Sequence, residues 1–333
     1  MQTDCDIAVI GLGAIGSMAL WRLAEKGVAV LGFEQFGIGH DRGAVGGETR
    51  LFRRAQTADP RFTPLIDIAY KNWLELNEHS DIELLKICGG LTVGQADDQR
   101  ILATLEAARM SDLDVEVLGP RQMRERFPEH HLTPDEIGVY DPTQGYMRCE
   151  QAVIAAVRQA RALGAEAHAY TPVRISDVSA DSVTLSSDTR EWTAKKVVIA
   201  AGGWSGHLLP SSVKKRCSPK RIMLSWFAPR RGHDFSVEQF PVFHRMTDGG
   251  AIYGAPSLDG GASVKVARGA APTEIEDVNH FERGHSREEI EFMEARVAKH
   301  LPGLESSPIR VGSWVDFYPE DWTPLMGPVV TSR

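Results

Sequence analysis

Two hydrophobic periods alternate along this chain, and the points where one gives way to the other outline its organisation. After Asp6, residues 7–10 form a short apolar run. A stretch at 17–26 has helical spacing, with Leu20 and Leu23 on one face and Lys26-Gly27 as its stop, and 28–33 is apolar again and ends in Glu34. Helical spacing recurs at 62–77, with Leu65, Ile68, Ala69, Trp73 and Leu76 near one side, and at 97–110, 120–127, 146–163 and 287–300. Strands are predicted at 84–93 around Gly89-Gly90, and at 138–142, 173–178, 182–186 and 191–193. After Lys196, the run Val197-Val198-Ile199-Ala200-Ala201 is apolar without alternation and ends in small residues, as in a buried parallel strand. A last group, 222–228, 241–245, 251–255 and 263–266, is interrupted by Asp248-Gly249-Gly250 and Asp259-Gly260-Gly261, which is hairpin chemistry. Residues 310–317 are strand-like once more.

The first of these transitions carries chemistry. Gly11, Gly13 and Gly16 stand at GxGxxG spacing between the first strand and the first helix. The first glycine allows a tight turn, the second lets a pyrophosphate approach the backbone, and the third lets helix and strand pack closely. The helix start then offers free N–H groups to phosphate, and Glu34 can accept hydrogen bonds from a ribose while repelling a 2′-phosphate. The predicted fold class is mixed α/β: a Rossmann-like dinucleotide unit interleaved with an antiparallel-sheet substrate unit. The expected division gives 1–85, 145–215 and 310–333 to the first unit and 86–144 and 216–309 to the second.

Composition narrows the picture. The chain has 333 residues, room for two cores, with 42% hydrophobic and 25% charged residues, as in ordinary globular proteins. A net charge of −8 argues against a nucleic-acid partner. Cys5, Cys88, Cys149 and Cys217 are scattered with no CxxC pair, which suits a reducing compartment. The stretch at 197–213 lacks charge but contains three glycines, a histidine and a proline, too broken for a membrane span. Cytoplasm is the expected location.

Other segments were weighed for chemistry. Residues 37–54 hold five glycines and four arginines, a connector able to grip phosphate or carboxylate. The seven basic residues in 211–231 read as a solvated linker, and the pair His130-His131 as surface. No HExxH, CxxC or carboxylate cluster points to a metal.

With these residues in place the chain resembles the flavoprotein amine oxidases of the monomeric sarcosine oxidase and N-methyltryptophan oxidase type, along nearly its whole length. The resemblance is carried by the segment from Ile10 to Ser17, by Gly47-Glu48-Thr49-Arg50-Leu51-Phe52-Arg53, by Ala200-Ala201-Gly202-Gly203-Trp204, and by Tyr253-Gly254-Ala255-Pro256 followed by Lys265. It implies FAD, held by Gly11, Gly13, Ala14, Ile15, Gly16, Glu34, Gln35, Gly47, Thr49, Arg50, Val173, Ala201, Gly202 and Trp204. It also implies a site in which Arg50 lies along the flavin, Arg53 pairs with a substrate carboxylate, Tyr253 lines the pocket and Lys265 promotes reaction with oxygen.

Departures from the family pattern shape the expectations. Trp314 stands where covalent members have cysteine, so the flavin is expected to be non-covalent. A pocket histidine aligns near Gly269 and a pocket tyrosine near Asp316. The chain stops at Pro328-Val329-Val330-Thr331-Ser332-Arg333, where the resemblance implies a further strand, a glycine-rich loop and a helix. The ending reads as an interruption, and weakened FAD binding and poor activity are expected of the chain as it stands. The expected reaction is oxidation of a secondary amine or N-methyl amino acid, with oxygen reduced to hydrogen peroxide, by a monomer or weak homo-oligomer. Alternatives are a flavin dehydrogenase using a quinone or carrier, a nicotinamide-dependent dehydrogenase, and a non-catalytic binding fold.

Overall fold

The computed structural model describes residues 3–54, 62–269 and 272–329, so the last four residues of the chain lie outside it. Two sheets organise it. The six-stranded sheet runs, in order, Arg174–Val178, Val183–Ser186, Glu191–Ile199, Cys5–Ile10, Val30–Phe33 and Glu166–His168. The last four strands are parallel, and the first two are added antiparallel. In the two central parallel strands, Cys5–Ile10 and Val30–Phe33, both faces are largely buried, whereas Glu191–Ile199 exposes Lys195 and Lys196. Val9 packs toward Leu20, Trp21 and Ala24 of helix Ala14–Glu25 and the alanine face of helix Cys149–Ala162, while Ala8 and Ile10 pack with Leu185 and Trp192. Burial on both sides is why these strands read as continuous apolar runs.

The nine-stranded sheet is built on Cys217–Phe227. This strand pairs with Arg310–Pro319 along one edge and with Val264–Gly269 and Thr273–Glu274 along the other. The sheet continues through Gly250–Ala255, Val242–Thr247, Gly90–Gln95, Glu136–Asp141 and Glu116–Leu118. One face carries the main core, including Phe227, Phe243, Val264 and Val266 against Met293 and Val297 of helix Arg287–His300. Because side chains alternate along a strand, Lys265 and Ala267 project to the opposite face, beside Leu224, Trp226 and Trp314. That second face meets the small sheet Thr49–Phe52, Gly145–Arg148 and Leu85–Ile87.

Several expectations are corrected. The helix expected from 146 starts at Cys149; residues 145–148 are a strand, because Tyr146 and Met147 are paired on both sides, with Leu51 and Arg50 and with Lys86 and Leu85. The strand at 191–193 and the apolar run from 197 belong to one strand, Glu191–Ile199. The first helix begins at Ala14 and takes in Gly16. The basic stretch 211–231 is no linker: the strand starts at Cys217, and Lys220 and Arg221 are ion-paired with Glu274 and Glu289. His130 is not at the surface. It is 3% exposed and stacked 5.0 Å from Phe240, whereas His131 is exposed. Adjacent residues in a loop can face opposite ways, so the polar pair hid one core position.

Candidate functional site

At the C-terminal ends of the parallel strands, the chain makes its tightest approach to itself. Gly11 has φ +87°, and a Cβ there would come within 2.6 Å of the Ala200 carbonyl oxygen and 2.7 Å of Ala201 Cα. At Gly16 a Cβ would lie 1.7 Å from the Gly11 carbonyl oxygen. Gly13 is different: it begins the helix with no side-chain cap, and the space beside it is open to 4 Å. Ala14 and Ile15 form the first turn, and the Ile15 side chain is exposed. An uncapped helix start with an open approach is suited to an anion.

Glu34 closes the second strand and is only 4% exposed. Its carboxylate accepts from Leu12 N–H and Phe36 N–H, each at 3.0 Å, and tethers the glycine turn to the next loop. His40 Nδ1 accepts from Arg42 N–H at 3.0 Å, leaving Nε2 to face Glu34 at 3.5 Å. Gln35 follows, half-buried. The chain after the fourth parallel strand bonds to the same region through Thr171 N–H to Glu34 O at 2.8 Å, and the nearby Val173 packs against the sheet. Ala201, Gly202 and Trp204 lead from the long strand into a short 3₁₀ helix, where the Trp204 ring lies 5.4 Å from Phe36.

Residues 37–54, the glycine and arginine connector, carry the chain from this turn to the second face of the nine-stranded sheet. Arg50 is tied to the connector itself, donating to Thr49 O at 2.7 Å, Ala44 O at 2.5 Å and Gly46 O at 2.9 Å. Glu150, in the first turn of its helix, accepts from Gly47 N–H and Glu48 N–H at 2.9 and 3.1 Å. Glu48 adopts φ +71°, and its carboxylate holds Trp226 Nε1 at 3.0 Å and pairs with Arg310.

Lys265 reaches into this frame from the sheet. The residue is 4% exposed, and its ammonium donates to Gly47 O at 2.9 Å and Thr49 O at 2.5 Å. Among the described residues no carboxylate pairs with it. Burial, reinforced by the Arg50 charge, pulls its pKa from 10.5 down to about 7. Tyr253 stands on the same face, and burial pushes its hydroxyl pKa up. Arg53 has its pKa lowered by burial, and its charge, after burial itself, helps hold His244 down at about 4. Trp314 packs near Trp226, with its indole against Gly46.

The structure thus collects the predicted residues at two places. Gly11, Gly13, Ala14, Ile15, Gly16, Glu34, Gln35, Ala201, Gly202, Trp204 and Val173 surround the first turn, while Gly47, Thr49, Arg50, Arg53, Tyr253 and Lys265 surround the sheet face. Sequence reasoning missed Glu150, Trp226, Arg310 and His244. His244 had a signal: the Asp248-Gly249-Gly250 hairpin places it directly opposite Tyr253, and its Nε2 reaches within 3.5 Å of where a Gly269 Cβ would be. Among the described residues no group of three or more His, Cys, Asp or Glu could hold a metal, and no helix is long and apolar enough to cross a membrane.

A glycine-rich turn on a parallel sheet, joined to a large mixed sheet that presents a buried cation, defines a dinucleotide-dependent redox class. The chain belongs to the FAD-dependent oxidoreductase family (DAO), which it matches over residues 6–333. It is 31% identical over 309 residues to monomeric sarcosine oxidase of Streptomyces avermitilis, covering 91% of this chain and 79% of that one. It is 29% identical over 255 residues to N-methyl-L-tryptophan oxidase of Yersinia pestis, covering 76% and 68%. Among solved structures, the fold matches NikD, an amino acid oxidase of nikkomycin biosynthesis, with TM-score 0.83 at 20% identity over 96% of this chain and 83% of that one. It also matches glycine oxidase from Geobacillus kaustophilus, with TM-score 0.77 at 18% identity over 98% and 86%.

Proposed function

We propose that this oxidoreductase binds FAD without a covalent bond and oxidises a secondary amine, in the first instance an N-methyl or other N-substituted amino acid, with oxygen as acceptor. The residues present fit the cofactor. The uncapped helix start and the open side of Gly13 suit the diphosphate, and Glu34 would accept from a ribose. Gly47, Thr49 and Arg50 would carry the ring end. Trp314 offers no thiol, and burial holds the thiol pKa of each of the four cysteines above its ordinary value, away from the reactive thiolate.

Bound FAD supplies the two-electron chemistry, accepting a hydride equivalent from the carbon beside nitrogen and passing the electrons to oxygen, so that amine and oxygen become imine and hydrogen peroxide. The protein's part is placement and charge. Arg53 would hold the substrate carboxylate and Tyr253 would wall the pocket, fixing the reacting C–H within the roughly 3–3.5 Å such a transfer requires. The Lys265 ammonium, held by two backbone carbonyls and the Thr49 hydroxyl, would offset negative charge developing beside it in a water-poor setting. This buried, carboxylate-free lysine is the observation that carries the reading. It is tested by purifying the protein with FAD and assaying peroxide formation with sarcosine and N-methyl-L-tryptophan. Peroxide formed in proportion to amine consumed supports the reading, and flavin-loaded protein inert to both opposes it.

A further inference from the structure

The sheet face that carries Lys265 and Tyr253 also carries an acid. Strand Arg310–Pro319 turns Val315 toward Ile275 and Val278, so Trp314, Asp316 and Tyr318 project on the side shared with Leu224 and Trp226. The middle of this face carries small residues, Ala267 and Gly269, and a Cβ placed at Gly269 would already meet Ala251 and His244 at 3.3–3.5 Å. Asp316 lies on the same face, two residues beyond Trp314 and opposite Lys220, half-buried, with Oδ1 accepting from Phe317 N–H at 2.8 Å. Its charge is felt by two neighbours: after burial, it is the main influence raising the Tyr318 hydroxyl pKa, and it also raises that of Tyr253. No cation balances it among the described residues. Lys220, its partner across the strands, is committed to Glu274 at 2.8 Å, and Arg50 to three backbone carbonyls.

Among the described residues the site therefore has Arg50, Arg53 and Lys265 on the connector side, where Glu48 and Glu150 are held by Arg310 and by backbone N–H groups, and on the far side Asp316, which is hydrogen-bonded to Tyr318 and has no ion-pair partner. We propose that Asp316 receives a second positive charge on the substrate, so that the preferred amines are N-alkyl amino acids with a cationic side chain, such as an ammonium or guanidinium at the end of an extended chain. This rests on the amine-oxidising reading above and deepens it by naming the substrate class.

The test compares Nα-methyl-lysine with Nα-methyl-norleucine, which has nearly the same length and no side-chain charge, on the FAD-loaded enzyme. Both kcat/KM and the anaerobic dissociation constant from calorimetry are measured. A hydrogen-bonded charge pair predicts a preference for the lysine compound of roughly tenfold or more. The preference should collapse toward one in Asp316→Asn and persist in Asp316→Glu. Equal affinities in the unaltered enzyme, a preference surviving Asp316→Asn, or equal loss for both compounds would each overturn the proposal. The last would mean that Asp316 serves the reacting nitrogen or the fold. If neither compound is oxidised, the amine-oxidase reading for these substrates fails. The calorimetric comparison still decides the role of Asp316: a charge-dependent preference lost in Asp316→Asn supports it, and no preference overturns it.

Discussion

The Lys265 ammonium rests on Thr49, donating to its carbonyl oxygen at 2.5 Å and lying 3.4 Å from its hydroxyl. A cation fixed this way spans the sheet and the glycine–arginine connector, with no carboxylate in ion-pair contact among the described residues, Glu48 and Glu150 acting on it only from a distance. Lys265→Met keeps the length and removes the charge. Loss of one preorganised electrostatic group typically costs about 10²–10³ in rate. Stopped-flow measurement should show a loss of that order in reoxidation by oxygen, with a smaller effect on anaerobic reduction by amine.

The same lysine makes stability depend on pH in a stated direction. Its folded pKa is about 7, against 10.5 ordinarily, so between these values the unfolded chain holds the proton that the folded chain has released. Stability then rises with pH across that window and its contribution is lost below about 7. Urea midpoints of the unaltered protein relative to Lys265→Met should increase from pH 7 to pH 10. A flat difference would show that the buried ammonium titrates normally.

The glycine turn separates cofactor binding from folding. Gly13→Val places a side chain in open space and should cost the apoprotein about 1 kcal/mol at most, the scale of an N-cap change, while abolishing flavin retention. Gly16→Ala drives a Cβ to 1.7 Å from the Gly11 carbonyl oxygen and should cost about 3 kcal/mol through overpacking. Thermal unfolding of apoprotein together with flavin content distinguishes the two.

His130 supplies an acid-side prediction. Burial, with lesser effects from Arg245 and His300, holds its pKa at about 3, so it stays neutral in the fold while the unfolded chain protonates below 6.5. Stability is therefore lost as pH falls from 6.5, by up to about 1.4 kcal/mol per pH unit for one such group. His130→Phe keeps a ring beside Phe240 and Phe243 and removes that term. Its unfolding midpoint should vary less between pH 7 and pH 5 than that of the unaltered protein.

What could be read in advance follows the range of the interactions. Gly11, Gly13, Gly16 and Glu34 sit within one strand–turn–helix–strand unit, so local periodicity and glycine spacing were enough to place them together. Lys265 was harder. Within Val264-Lys265-Val266 the alternation shows that the lysine faces away from the valines, but not what covers that face. The covering element lies more than two hundred residues away at Gly47 and Thr49, and only the resemblance linked the two segments. His130 and the strand from Cys217 misled in related ways: His130 is buried by stacking on Phe240 and Phe243, Arg221 is paired with Glu289, and neither can be told from a solvent-facing residue until its distant neighbours are known.

The most direct measurement mixes the FAD-loaded protein with an N-methyl amino acid without oxygen and then admits oxygen. The account predicts that the visible flavin absorption bleaches on mixing and returns with oxygen, with one peroxide released per amine consumed. A flavin that stays oxidised across a panel of secondary amines, cationic ones included, would contradict it.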